Sequence, residues 1–191
     1  CTDIYFDGAM DFIEAAANRK ENFFTYIATN APHGPYHDVP EKLYQEYLKV
    51  DFRPIMINKN PSPARLKSET DKLARICAMI TNIDENVGRL RELLTDLDLA
   101  DDTVFVFTTD NGTAAGDRRR GDEPGEWPGY NAGMRGKKGS EYDGGHRVPF
   151  FVYWPKGGIS GGRDVDGGGG CDVDGGGGAG GSDGGTTCTM L

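Results

Sequence analysis

The most regular pattern in the chain is a series of apolar residues that recur every three or four positions between residues 73 and 97. This spacing predicts a long amphipathic helix with one buried face and one solvated face. Charged residues such as Lys72, Glu85 and Arg89 fall between the apolar positions. The apolar series consists of Leu73, Ile76, Ile80, Ile83, Val87, Leu90, Leu94 and Leu97.

Two weaker helical patterns precede it. The first runs to about Asn18, with Thr2 and Asp3 as candidate N-caps, and its apolar residues recur at helical spacing. The second is a short helix predicted over residues 41–49, and the proline-bearing stretch 53–63 after it is predicted to be a loop.

Three short runs of aromatic and β-branched residues predict β-strands at 23–28, 103–108 and 148–154. Because these runs are continuously apolar, they indicate strands buried on both faces, and their alternation with helices predicts an α/β sheet sandwiched by helices. Ligands in such sheets lie beyond the carboxyl ends of the strands. His33 follows the first run, and Asp110 and Asn111 follow the second.

Composition divides the chain into a body at 1–156 and a tail at 157–191. The tail holds 16 of the 29 glycines and no aromatic residue, so we predict a disordered, low-complexity segment.

The net charge of −9 argues against a nucleic-acid or anionic-membrane partner. No apolar run approaches the roughly 18 residues of a membrane span. Because the sequence begins at Cys1 inside a helical pattern, we interpret it as a fragment or processed chain.

Several residues carry candidate chemistry, each with a simpler alternative. Asp110 and Asn111 offer the oxygen ligands that Ca²⁺ or Mg²⁺ accepts, but Asp-Asn-Gly is also a common turn sequence. The loop 133–149 carries four cations among glycines, which would let an anion approach the backbone, but its composition is more typical of a solvated flexible loop. His33 lies between two prolines, and by itself this position is more typical of a surface histidine than of a catalytic one.

Taken together, four motifs in order closely resemble the sulfatase family, the arylsulfatase-like branch of the alkaline-phosphatase superfamily. The resemblance runs from about Thr2 to Asp166 and implies the carboxyl-terminal part of that catalytic domain. The motifs are Phe-Phe-Thr-Tyr-Ile-Ala-Thr-Asn-Ala-Pro-His-Gly-Pro, Ile-Asp-Glu-Asn-Val-Gly-Arg-Leu, Thr-Val-Phe-Val-Phe-Thr-Thr-Asp-Asn-Gly and Arg-Gly-Lys-Lys-Gly-Ser-Glu-Tyr-Asp-Gly-Gly-His-Arg-Val-Pro.

The resemblance implies roles for four residues. Asp110 and Asn111 match ligands of a divalent cation, usually Ca²⁺ with Mg²⁺ as an alternative, that also holds a sulfate oxygen. Lys138 matches the lysine that binds the sulfate group, and Lys137 is a weaker candidate for the same role. His33 matches a histidine that contacts the sulfate and assists the leaving oxygen. A cation, an ammonium group and an imidazolium around the sulfuryl group would stabilise the charge that develops there.

The family's nucleophile, a formylglycine made from Cys or Ser in a Cys/Ser-x-Pro-x-Arg motif, has no counterpart in these 191 residues. The preceding Asp-Asp pair of the family's metal site is also missing. The stretch 61–65, Pro-Ser-Pro-Ala-Arg, has proline at the nucleophile's place, and we interpret it as a chance similarity. We therefore predict weak Ca²⁺ binding at best and no sulfatase activity from the chain alone.

The expected activity of the full-length parent is sulfuric ester hydrolysis, with a sulfate-ester small molecule or sulfated glycan as substrate. Two alternatives stay open: a phosphodiesterase or phosphonate monoester hydrolase on the same fold, and a catalytically inert remnant. The compartment and the oligomeric state are not determined by the sequence, and family analogy alone suggests an exported, periplasmic or lysosomal protein.

Overall fold

A computed structural model describes residues 1–56, 59–114 and 132–159. Its helices are α1 (Thr2–Asn18), α2 (Glu41–Tyr47), α3 (Pro63–Asp96) and α4 (Asp143–His146), and short 3₁₀ turns lie at Arg53–Ile55 and Pro155–Gly157. Its strands are β1 (Phe105–Thr108) and β2 (Phe150–Tyr153). No helix in these ranges is long and apolar enough to cross a membrane.

Helices α1 and α2 both pack against α3, the longest helix in the described part of the chain. Seven of the eight predicted apolar residues lie on it and Leu97 is its C-cap, but Ile80 is 51% exposed and so does not belong to the buried face. Residues from α1 and α3 form one hydrophobic cluster, with Phe23, Ile27 and Phe105 packed against its edge. The fully buried members of that cluster are Phe6, Ile13, Leu90 and Leu94. The predictions of a helix at 2–18 and of a long helix through 73–97 are confirmed.

The predicted N-caps of α1 are wrong. Thr2 and Asp3 already lie inside the helix, and Cys1 occupies the N-cap position without a side-chain cap. Asp3 instead accepts hydrogen bonds from Nδ2 of Asn82 at 2.8 Å and from Nδ2 of Asn86 at 2.7 Å, both on α3. These bonds lower the pKa of the Asp3 carboxyl because they favour its charged form. The aspartate therefore links two helices.

Helix α3 begins ten residues before the predicted apolar series, at Pro63. Ser62 is its N-cap, and its Oγ accepts a hydrogen bond from the Arg65 amide at 3.3 Å. Proline is well suited to the first turn because its missing N–H would have no partner there. Residues 61–65 are therefore the start of a helix. The predicted loop at 53–63 contains a 3₁₀ turn at Arg53–Ile55 and ends at Ser62, the N-cap of α3.

The two described strands form an antiparallel pair, in which Phe105 faces Tyr153 and Thr108 faces Phe150. They match the predicted strands at 103–108 and 148–154, although they are shorter. The prediction that both faces are buried is wrong in this structure, since Val106 is 47% exposed and Phe150 is 67% exposed. A sheet of two strands has too few neighbours to cover both faces.

The predicted buried strand at 23–28 is not a strand in the structure. Its side chains alternate between half-buried and exposed, with Phe24 87% exposed and Tyr26 81% exposed. A strand requires a hydrogen-bonded neighbour, and the described part of the chain places none beside this segment. The predicted disordered tail at 157–191 lies almost entirely outside the described residues, so the boundary at 156 stays a prediction.

Candidate functional site

The turn that carries Asp110 and Asn111 follows β1 directly. Because β1 and β2 are antiparallel, the end of β1 lies beside the chain that enters β2, and Oγ1 of Thr108 donates to the Pro149 carbonyl at 3.0 Å. Nδ2 of Asn111 lies 2.5 Å from Oδ2 of Asp110, so the two side chains converge. Asp110 is exposed and Asn111 half-buried. The turn therefore presents oxygen ligands at an accessible end of the sheet.

The lysine-bearing loop packs against this turn through two backbone hydrogen bonds. The Gly112 amide donates to the Gly145 carbonyl at 3.0 Å, and the Lys138 amide donates to the Thr113 carbonyl at 2.9 Å. These bonds join residues more than 20 positions apart in the sequence. The structure thus brings Lys138 beside the Asp110–Asn111 turn, two groups that the sequence predicted to share a site.

Three glycines permit this close backbone packing. A Cβ on Gly112 would lie 2.0 Å from the Gly144 carbonyl oxygen, and one on Gly144 would lie 2.2 Å from that of Gly136. A Cβ on Gly145 would lie 2.4 Å from the Ser140 carbonyl oxygen. Real Cβ atoms essentially never approach another atom below 3.0 Å, so any side chain at these positions requires the backbone to move. We name Gly112, Gly144 and Gly145 the glycine contact.

Ser140 shapes the loop around the two lysines. Its Oγ accepts a hydrogen bond from the Lys137 amide at 3.0 Å, and its own amide donates to the Lys137 carbonyl at 2.9 Å. The Arg135 guanidinium lies 3.6 Å from the ring centroid of Tyr142, a cation–π contact. Lys137 and Lys138 are both half-buried as a result. The loop therefore has a defined conformation, which disfavours the alternative of an unstructured solvated loop.

His33 lies in a separate loop, and its hydrogen bonds are local. Its amide donates to the Asn30 carbonyl at 3.0 Å, and its Nδ1 lies 2.5 Å from the Gly34 carbonyl oxygen. The side chain is exposed. None of the contacts within the described ranges joins His33 to Asp110 or Lys138, so its place in a common site stays a prediction.

The loop of His33 is held on α3 by Arg75. Nη1 of Arg75 lies 3.4 Å from the Tyr36 carbonyl oxygen, and its guanidinium lies 4.5 Å from the ring centroid of Tyr44. Asp71 accepts hydrogen bonds from both Arg75 and Tyr44, which together hold the pKa of its carboxyl below the usual range. This cluster was not recognised in the sequence, where Asp71 and Arg75 are ordinary helix-surface charges.

The donor set at the turn fits a hard divalent cation in kind but not in number. Ca²⁺ takes six to eight oxygen ligands, and the turn supplies the side chains of Asp110 and Asn111. Across the described ranges no group of three or more His, Cys, Asp or Glu side chains is placed to hold a metal. The Ca²⁺ or Mg²⁺ prediction is therefore compatible with these two residues as a partial set of ligands.

The glycine contact is the functional feature that sequence reasoning missed. Gly144 and Gly145 were visible only as members of a glycine-rich loop, and Gly112 only as a turn residue. A pair of adjacent glycines in a loop rich in cations was the available signal. The carbonyl that requires the small size of Gly112 is that of Gly144, 32 positions later, and nothing in the sequence around Gly112 identifies it. The carbonyls closest to an added Cβ on Gly144 and on Gly145 belong to the same loop, at Gly136 and Ser140.

Comparison with known proteins gives one family. The family model described as "Sulfatase" matches residues 1–160. Among curated proteins, N-acetylgalactosamine-6-sulfatase of Homo sapiens is 30% identical over 154 residues, covering 81% of this chain and 23% of that protein. The ulvan-active sulfatase of Formosa agariphila is 26% identical, covering 78% of this chain and 26% of that protein. The chain thus spans about a quarter of the length of these relatives.

A solved structure also has a similar fold. The crystal structure of Ps i-CgsB in complex with k-i-k-neocarrahexaose matches with a TM-score of 0.59 and 27% sequence identity, covering 83% of this chain and 29% of that one. The structural match confirms the predicted fold class, of which the described residues form a part with helices and a small antiparallel sheet.

Proposed function

The chain belongs to the sulfatase family, and on that premise we propose that it is the cation-binding and sulfate-binding part of a sulfuric ester hydrolase. The observation that carries the proposal is the attachment of the lysine loop to the Asp110–Asn111 turn. The amide of Lys138 donates to the carbonyl of Thr113 at 2.9 Å, and Thr113 follows the predicted metal ligands Asp110 and Asn111 by three and two positions. The segments that carry the acidic and basic residues are therefore hydrogen-bonded to each other at one end of the sheet.

These groups suit a sulfate ester for an electrostatic reason. Transfer of the sulfuryl group spreads negative charge over its oxygens, and a positioned ammonium group stabilises that charge. Lys138 supplies the ammonium group, and Asp110 with Asn111 would hold a divalent cation. Such a cation, when bound, supplies Lewis-acid polarisation of a sulfate oxygen. His33, on its own loop, is proposed to contact the same group and to give a proton to the leaving oxygen.

We propose a sulfated glycan as the substrate class. Two lines of support come from the relatives, one a sulfatase named as ulvan-active and the other a structure determined with a neocarrahexaose. The exposed position of Asp110 also suits a long substrate, because a sulfate at this end of the sheet is reachable without entering an enclosed cavity.

We propose further that the chain by itself binds but does not turn over its substrate. The 191 residues contain no Cys/Ser-x-Pro-x-Arg sequence, and therefore no residue from which the family's nucleophile is made. The remaining groups can hold and polarise a sulfate ester but have no nucleophile of that type to attack sulfur. An aryl sulfate incubated with the chain should release no phenol above the rate of a His33→Ala, Lys138→Ala double variant.

The binding test uses p-nitrophenyl sulfate and saturation-transfer NMR with the complete chain, in the presence of Ca²⁺. Lys138→Ala should weaken binding about three- to tenfold, since it removes a charged hydrogen-bond donor from a partly solvated site. Lys67→Ala is the matched control, because Lys67 is exposed on α3 and should leave the affinity unchanged. Equal affinity of the Lys138→Ala and wild-type chains would contradict the assignment of the lysine.

The cation test is a calorimetric titration with Ca²⁺. We expect a dissociation constant weaker than micromolar that becomes unmeasurable in Asp110→Ala, while Asp101→Ala, an exposed aspartate in another turn, has no effect. A micromolar site lost in Asp110→Ala would show that the ligand set is more complete than two side chains. Binding unaffected by Asp110→Ala would place the cation elsewhere.

Higher affinity for an aryl phosphonate than for the aryl sulfate would favour the phosphonate hydrolase alternative.

A further inference from the structure

His33 lies on a loop at residues 30–38, which we call the histidine loop, and the backbone bonds within this loop are short in range. The His33 amide donates to the Asn30 carbonyl at 3.0 Å, and the His37 amide donates to the Pro35 carbonyl at 2.9 Å. Such bonds shape the loop but do not attach it to another element. The position of His33 therefore depends on how the loop is held from outside.

Arg75 of α3 holds the histidine loop from outside. Its Nη1 donates to the Tyr36 carbonyl oxygen at 3.4 Å. The Tyr36 ring in turn lies against Gly34, since a Cβ added to Gly34 would lie 3.6 Å from Cζ of that ring, an ordinary contact distance. Tyr36 thus connects Arg75 to the residue next to His33.

Asp71 and Tyr44 fix the orientation of the Arg75 guanidinium. Asp71, one helical turn earlier on α3, accepts hydrogen bonds from Nε at 3.1 Å and from Nη2 at 3.3 Å, a two-point contact that restricts the plane of the guanidinium. The Tyr44 hydroxyl accepts from Nη2 at 3.4 Å and donates to Asp71. Nη1 is thereby directed to the Tyr36 carbonyl.

The three side chains keep these roles at neutral pH. Hydrogen bonds from Arg75 and Tyr44 lower the pKa of the Asp71 carboxyl, and the bond to Asp71 raises the pKa of the Tyr44 hydroxyl. The carboxyl therefore stays ionised and the hydroxyl stays protonated. The guanidinium has five N–H groups, and its four hydrogen bonds between described residues all end on protein oxygens. Arg75 is thus engaged with the protein, which suits a positioning role better than direct contact with an anion.

Helix α3 also supports the strand that leads to the turn with the predicted metal ligands. Phe105, the first residue of β1, packs against the cluster that includes Leu90 and Leu94 of α3. Strand β1 ends at Thr108, two residues before Asp110. One helix is therefore in contact with both segments, the histidine loop in its first half and β1 near its carboxyl end.

We propose that Arg75 is a positioning residue of the sulfate-binding site, and that its guanidinium holds the histidine loop so that His33 faces the sulfate group. Asp71 and Tyr44 orient that guanidinium. This inference rests on the proposed function of His33. Arg75 makes no bond to the substrate in this arrangement, so loss of its guanidinium should affect sulfate binding through His33.

A double-mutant cycle separates this role from a general structural one. The measurement is the affinity of the complete chain for p-nitrophenyl sulfate in the presence of Ca²⁺. Arg75→Ala should weaken binding about two- to fivefold in the wild-type background and should have no further effect in a His33→Ala background. In a Lys138→Ala background it should keep its full effect. An equal loss of affinity in all three backgrounds would indicate a general structural role and overturn the proposal.

The ring signals of the three histidines in NMR give a readout that needs no ligand. The signal of His33 is assigned by its disappearance in His33→Ala. Arg75→Ala should shift or broaden this signal and leave that of His146, on α4, in place. Arg89→Ala is the matched control, because it removes another arginine of α3 and its 2.7 Å ion pair with Asp7, about 21 Å along the helix. It should change neither the His33 signal nor the affinity.

The two readouts distinguish failure of the positioning role from failure of the proposed function. An unchanged His33 signal in Arg75→Ala would overturn the positioning role, whatever the ligand does. A changed signal together with wild-type affinity in His33→Ala would show that Arg75 holds the loop but that His33 does not contact the sulfate. That result would contradict the proposed function and, with it, this inference. A changed signal with a loss of affinity that depends on His33 supports both.

Discussion

Replacing Gly112 by alanine tests whether the glycine contact holds the candidate site together. The added Cβ would lie 2.0 Å from the Gly144 carbonyl oxygen and 2.9 Å from the Gly144 carbonyl carbon. Both are backbone atoms, so no side chain can rotate out of the way. The turn and the lysine loop must separate by about 1 Å to restore ordinary contact distances.

That displacement lengthens the Gly112 to Gly145 hydrogen bond from 3.0 Å and the Lys138 to Thr113 bond from 2.9 Å, and takes both beyond useful geometry. Losing two backbone bonds, with an amide left without a partner in a packed loop, costs about 2–4 kcal/mol. For a domain of this size the midpoint of thermal unfolding should fall by roughly 4–16 °C. Lys138 should move away from Asp110 by the same displacement.

Urea unfolding of the complete chain measures the change in the free energy of unfolding. Hydrogen exchange of the Lys138 amide measures whether its bond to Thr113 is retained. Gly88→Ala is the matched control, because an added Cβ there meets nothing within 4 Å and the site is inside α3. It should stabilise the chain by about 0.5–1 kcal/mol. A Gly112→Ala chain with wild-type stability and a protected Lys138 amide would refute the reasoning.

Three further outcomes are expected from α3 and its contacts. Asn86→Ala removes the bonds to Asp3, to the Asn82 carbonyl and from Arg89, and should destabilise the chain by about 2–4 kcal/mol in urea unfolding, whereas Asn22→Ala, at an exposed asparagine, should leave stability unchanged. The pKa of the Asp3 carboxyl is lowered in the folded chain, so the ionised carboxyl adds to the free energy of unfolding above pH ~4, and this stabilisation is lost as the pH falls through the folded pKa. In Asp3→Asn, the free energy of unfolding should therefore depend less on pH in the acid range. Ser62→Ala removes the cap of α3 and should cost about 0.5–2 kcal/mol, whereas an unchanged urea midpoint would show that the cap contributes nothing.

The helices were determined by the sequence because their pattern is local. Leu73, Leu90 and Leu94 recur at helical spacing, and the face that they define is the buried face of α3 in the structure. The positions of Asp110, Asn111 and Lys138 were also predicted, since short motifs in a fixed order carry the family resemblance. Their roles in binding and catalysis stay predictions.

Only the tertiary structure decided how distant parts of the chain meet. Asp3 looked like a helix cap and instead binds Asn86. Residues 23–28 looked like a buried strand and instead have no strand neighbour within the described part of the chain. Gly112 requires its small size because of the carbonyl of Gly144, 32 positions later in the sequence. Periodicity reports which face of an element is apolar, whereas hydrogen-bond partners and close backbone contacts depend on which elements lie side by side. That arrangement is a property of the folded chain as a whole.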